Sequence, residues 1–193
     1  MMNLSSIVSG GGVRSLQRGE LNFAAPASLT AETIVTIAAV DMNVAELRIT
    51  RRADSSATNT RAYLKSATQI AFSGSSSAYL TWEVAENMGN SRVQRIAGQG
   101  PVGATNGNWP NYVDVTIAAV DISRTRLSVV GYTRSALNAD GTQESSPSGP
   151  VAYFLNATTV RIAVPYRTTS SGIGDGKYTQ AAGYYSIEVI ESK

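Results

Sequence analysis

Along most of this chain apolar side chains recur at every second position. Val35, Ile37 and Ala39 alternate with Thr36 and Ala38, and Val113, Val115, Ile117 and Ala119 alternate with Asp114, Thr116 and Ala118. Successive side chains of a strand point to opposite faces, so this period marks strands with one apolar face. Leu47 and Ile49 continue it, as do Ile70 and Phe72, and then Leu80, Trp82 and Val84. Trp82 has apolar neighbours at that spacing and is predicted to lie in a core. Turn-rich stretches such as Ser73–Ser77, Asn138–Gly141 and Gly172–Gly176 separate the apolar segments. The nearest approach to a helical pattern, Asp41 to Leu47, is short and contains Asn43 and Val44. The expected fold class is all-β, with four or five strands in each of two repeats.

The repeat is visible in the letters. Val35-Thr36-Ile37-Ala38-Ala39-Val40-Asp41 returns unchanged as Val115 to Asp121, 80 residues later. Shorter matches keep the same order: Leu16-Gln17-Arg18 with Val93-Gln94-Arg95, Ala62-Tyr63 with Ala152-Tyr153, Ala67-Thr68 with Ala157-Thr158, and Glu83-Val84 with Glu188-Val189. The spacing grows along the chain, as it does when insertions fall in surface loops. The reading is an internal duplication: a Gly-rich N-terminal arm (1–15), a first β repeat (16–88), a linker over Met88 to Arg92, and a second β repeat (93–193) with longer loops. Each repeat is expected to be a small β-sandwich or open barrel. Trp82 should match Ile187. Units of this size without a disulfide have limited cores, so the repeats, or copies of the chain, are expected to pack together.

Composition narrows the chemistry. The 193 residues contain no histidine and no cysteine, which removes Ser-His-Asp and Cys-His nucleophiles, the usual zinc, haem and iron-sulfur ligand sets, and all disulfides. Sixteen basic residues stand against 14 acidic ones, for a net charge of +2, with no run of Lys or Arg. No nucleic-acid partner is therefore expected. Neither a signal peptide nor a membrane span is apparent, so the expectation is a soluble chain made without a secretion signal and without a membrane partner.

The remaining candidates have plain structural readings. Glu83 with Glu86, and Glu188 with Glu191, are the carboxylate pairs a glycosidase would need. Residues three apart in a strand face opposite ways, so neither pair converges, and solvated strand positions are expected. Asp41 and Asp121 lack the series of neighbouring carboxylates that a calcium loop requires and are read as strand stops that bond the following turn. Asp175-Gly176 reads as a turn. Ser9-Gly10-Gly11-Gly12 lacks a phosphate-loop ending and reads as part of a flexible arm. Arg48, Arg51 and Arg52 form the nearest thing to a basic cluster, while Arg14, Arg18, Arg92 and Arg95 recur at the start of each repeat and suit contacts with carboxylates at interfaces. Trp109 and Tyr112 lie in a segment without a first-repeat counterpart, and Tyr166, Tyr178 and Tyr184 lie in or beside another. Leu4, Ile7, Val8, Trp109 and Tyr112 are the candidate interface residues. No catalytic residue, metal ligand or cofactor is assigned, and the protein is read as non-enzymatic.

Taken together, Leu16 to Gly19 and Val93 to Arg95, the two Thr-Ile-Ala-Ala-Val-Asp segments, Ala152 to Arg161 with its Ala-Thr-Thr-Val-Arg ending, and the closing Trp82 to Glu86 and Ile187 to Glu191 resemble small virion proteins of tailed bacteriophages. That resemblance implies a multi-copy structural protein, assembled in the host cytoplasm and residing in the virion, most simply tail-associated as a minor tail, adaptor or fibre-attachment component. Its partners would be copies of itself and other virion proteins. The alternatives are a capsid decoration or cement protein, and a carbohydrate-binding, adhesin-like β module in contact with a host-surface glycan.

Overall fold

The computed structural model describes residues 12–24, 31–51, 60–74, 77–88, 91–99, 112–133, 136–137, 151–163, 179–180 and 184–193. Six strands occupy the first half: β1 (Val13–Phe23), β2 (Thr33–Thr36), β3 (Ala45–Arg51), β4 (Thr60–Ser66), β5 (Gln69–Gly74) and β6 (Ala78–Asn87). The second half follows with β7 (Ser91–Gln99), β8 (Tyr112–Thr116), β9 (Thr125–Thr133), β10 (Ala136–Leu137), β11 (Val151–Asn156), β12 (Thr159–Ala163), β13 (Thr179–Gln180) and β14 (Tyr184–Ser192). A 3-10 turn at Ile122–Arg124 is the one helical element among the described residues. The protein is all-β.

All pairings are antiparallel. In the first half one sheet has the order β1-β6-β3 and the other β2-β5-β4; in the second half the orders are β7-β14-β9 and β8-β12-β11, with β10 and β13 as an additional two-stranded pair. Strand for strand, the two halves run through the same order. Register agrees too: Trp82 stands opposite Gly19 and Ile49, and Ile187 opposite Ile96 and Val129. Each half encloses apolar side chains between its two sheets in a sandwich-like arrangement. Leu47, Leu80, Trp82 and Val84 from one sheet meet Leu64, Ile70 and Phe72 from the other. Tyr185, Ile187 and Val189 meet Val160 and Ile162 in the same way. Trp82 is buried, and its ring lies across Gly19, where an added Cβ would come within 2.4 Å of the indole. Glycine at position 19 makes room for the ring.

The exact repeat is only partly strand. β2 ends at Thr36 and β8 at Thr116, and the remaining residues leave the ladder. Ile37 N donates to Thr68 O and Val40 N to Ala67 O; Ile117 N and Val120 N make the same bonds to Thr158 O and Ala157 O. The chain thus crosses the tip of a hairpin between its two sheets, burying Ile37 and Val40 while leaving Ala38 and Ala39 outside. Alternation through Ala39 mimics a longer strand because alanine carries little weight on either face. Gln17 and Gln94 secure this crossing, each accepting from the backbone N–H and donating to the carbonyl of one alanine, Ala38 or Ala118. Asp41 and Asp121 therefore end the crossing and do not stop the strands, which finish at Thr36 and Thr116, but their bond to the following turn is the expected one. Asp41 Oδ1 accepts from Asn43 N at 2.9 Å and Asp121 Oδ1 from Ser123 N at 3.0 Å.

Two boundaries shift. Because β1 starts at Val13, residues 13–15 assigned to the arm are part of a sheet, and because β7 starts at Ser91, Arg92 is strand and not linker.

Candidate functional site

A strand at the edge of a sheet carries a row of unpaired N–H and C=O groups. β3 is such an edge, paired through β6 alone among the described strands. Groups of the second half meet its other side, the turn that leads into it and the neighbouring β4. Leu47 N donates to both carboxylate oxygens of Glu188, at 3.2 and 3.0 Å. The Arg95 guanidinium donates to the carbonyls of Met42 and Ala45. Ser186 Oγ donates to Ala62 O at 2.7 Å, and the backbone of Val93 donates to Asn43 O at 2.7 Å. Glu188 and Ser186 project from the outer face of the β7-β14-β9 sheet, so that face receives the side of the first sandwich.

A local irregularity lets the two halves come close. The pairing of β14 with β9 slips between Ser186 and Ile187, which leaves Val130 as the extra residue of a bulge. Val130 consequently packs into the core of the first half. Next to it, Gly131 lies so near β4 that a Cβ would be 2.4 Å from Thr60 O. Only glycine permits that approach.

Charge surrounds the contact. Glu46 accepts from the Arg126 guanidinium and from Asn87 Nδ2 at 2.8 Å, and Arg48 lies 3.5 Å from it. Arg95 Nε is 3.3 Å from Glu188 Oε1, an ion pair across the contact. Burial pushes the Glu188 carboxyl up to about 7, since loss of water outweighs the opposing help of Arg95 and the Leu47 N–H. Burial likewise lowers the Arg95 guanidinium, against the pull of Glu188. A paired buried charge contributes little net stability but is costly to orphan. The cluster therefore fixes how the halves meet more than how tightly.

Solvated positions were expected for all four glutamates of the two pairs, and the structure corrects this. Glu83 is partly exposed on the outer face, with Arg18 Nε 2.7 Å away. Glu86 is buried on the inner face, accepting from Ser15 Oγ at 2.9 Å and Asp41 N at 3.0 Å. Its match Glu191 accepts from Asp121 N at 2.7 Å and pairs with Arg92 at 2.9 Å. Glu188 is buried because the other half covers its face of the sheet. Each of these carboxylates is engaged with backbone N–H groups or arginines of the frame.

Of the candidate interface residues, Leu4, Ile7, Val8 and Trp109 lie outside the described residues. Tyr112 opens β8, exposed, with the Arg161 guanidinium 3.5 Å above its ring. Arg161 is also held by Asp114 through two bonds at 2.7 and 2.8 Å, which keeps Asp114 below the usual carboxylate range. Tyr112 thus packs against its own half, away from the contact just described. Tyr184 does reach across, lying 5.3 Å from the Arg61 guanidinium. Arg14, Arg18, Arg92 and Arg95 all meet glutamates; Arg52 and the Arg51 side chain are outside the description. Sequence reasoning missed Glu46, Arg126, Val130 and Gly131. One signal was present: Glu46 and Arg126 occupy matched positions of the repeat with opposite charge.

The outer face of the β1-β6-β3 sheet carries a shallow depression of about 540 Å³ bordered by Arg18, Glu20, Arg48, Thr50, Thr81 and Glu83. Among the described residues no cluster of three or more acidic groups is placed to hold a metal ion, and no helix is long and apolar enough to cross a membrane.

Fold and contact together define an all-β protein of two sandwich-like halves, the edge of one held on the sheet face of the other. Comparison with protein-family models, curated proteins and solved structures gives no match.

Proposed function

We propose that this protein is a non-enzymatic structural component that acts in many copies, and that its setting is the virion of a tailed bacteriophage, most simply the tail. The setting is what the resemblance of the strand motifs to small phage virion proteins implies, and duplication of one ancestral β unit would account for their order. One observation carries the structural role. The carboxylates best placed to act as acid or base, Glu86, Glu188 and Glu191, are bound to backbone N–H groups at crossings and edges, which is the work of a frame and not of a reaction site. An absence of histidine and cysteine agrees with that reading. Mass spectrometry of purified particles tests it: the chain is expected at a fixed, high copy number, with immunogold labelling at the tail. Labelling over the capsid surface would favour the decoration role. Absence from particles would overturn the virion setting, and a carbohydrate-cleaving activity lost on Glu83→Gln without loss of stability would overturn the non-enzymatic reading.

A further inference from the structure

The contact inside the chain has two sides, and each side has an open counterpart on the opposite half. The receiving side is the outer face of β7-β14-β9, where Arg95 and Glu188 hold the β3 edge. At the matching positions of the first half stand Arg18 and Glu83, paired at 2.7 Å and partly exposed. Val93, beneath the contact, is 5% exposed, whereas Leu16 at the matching position is 43% exposed. On the inserting side the seam between β3 and β4 is closed by Val130 from the second half. The matching seam between β9 and β11 has no such plug among the described residues, and Val129 there remains 43% exposed although it stands opposite core residue Ile187. Leu155 of β11 is 43% exposed as well, and Tyr153, equally exposed, is bonded to Arg161 on the outer face of its own sheet. Like β3, β9 pairs on one side only among the described residues, although its outer face already carries the internal contact through Arg126, Val130 and Gly131.

From this we propose that two copies associate head to tail, the β9–β11 seam of one docking on the outer face of the β1-β6-β3 sheet of the next, in a looser version of the contact within each chain. Complementarity is inherited from the internal contact: the same Arg–Glu pair is offered to the same kind of strand edge, with exposed apolar residues on both sides. Two departures loosen it. Thr50 stands opposite Thr81 where Gly131 stands opposite Ser186, and β3 pairs with β6 without a bulge, so the close backbone approach and the Val130 plug have no equivalent. Such an interface uses different surfaces on the two partners, so it leads to rings or open filaments and not to a two-fold dimer. It does not depend on where the protein resides.

The test is a mixing experiment with the full chain. In sedimentation velocity over a concentration series, the wild-type protein is expected to form species larger than dimers. Leu16→Lys disables the receiving face and Val129→Lys the inserting seam, and circular dichroism verifies that both fold. Each variant alone should lose about tenfold or more in association, yet an equimolar mixture should form a one-to-one dimer through the single intact pair of surfaces. A wild-type chain that stays monomeric to its solubility limit, association that survives both variants, or folded variants that fail to pair when mixed would each overturn the proposal. Monomers recovered from particles would sink it while leaving the virion setting intact; head-to-tail association by a chain absent from particles would do the reverse.

Discussion

At residue scale Glu188 and Gly131 matter most, because the first half covers the one and closes against the backbone of the other. The Glu188 carboxyl has an ordinary value of 4.5 and is pushed up to about 7 when folded. Below the lower value both states hold the proton. Between the two, the folded state keeps a proton that the unfolded chain releases, so stability falls as pH rises through that window and levels off above it. The loss amounts to about 3 kcal/mol. No histidine titrates there, which leaves the window clear. Thermal melting should therefore show Tm falling between about pH 5 and 7.5, and Glu188→Gln should flatten that slope whatever it does to the absolute Tm. For Gly131→Ala the methyl group meets the backbone of β4 at Thr60, which cannot swing aside as a side chain could. Urea unfolding should report a loss of about 1–3 kcal/mol; a neutral effect would mean that the halves sit further apart than described.

At the scale of elements, much was legible from period two alone. The strands around Leu47, Ile70, Leu80, Val160 and Ile187 stand where the alternation places them, since each has one face on a core. The second half of the exact repeat was misread as strand because Ile37 and Val40 are anchored by a hairpin tip, a contact no local pattern encodes. Burial of Glu188 was invisible for a related reason: an outward strand position becomes interior only when another body covers the sheet. The adjacent Val189-Ile190, apolar on both faces of β14, was the clue. The crossing yields a paired expectation. Gln17→Ala and Gln94→Ala each remove the same two backbone bonds, so each should cost about 1–3 kcal/mol and the two costs should agree closely. Unequal losses in urea titrations would show that the two crossings are not held alike.

The whole molecule depends on a core that does not respect its own division. Val130 belongs to β9 by sequence and to the first half by packing, which links the two halves in unfolding. A single transition is expected when indole fluorescence and far-ultraviolet circular dichroism are followed together. Val130→Asp places an unpaired charge in that core at a cost of several kcal/mol, and should pull the two signals apart. Two transitions in the wild-type chain would instead show that the halves fold independently.

The short connection between β6 and β7, residues 88–90, sets a further condition on assembly. A tether this short holds the receiving face beside its strand edge at an effective concentration on the order of millimolar, so the internal contact forms at any dilution. Between separate copies the same kind of contact has no tether. It therefore grows in only as the concentration of free chains rises, and copies anchored side by side on a scaffold would assemble at bulk concentrations where free chains are still monomers.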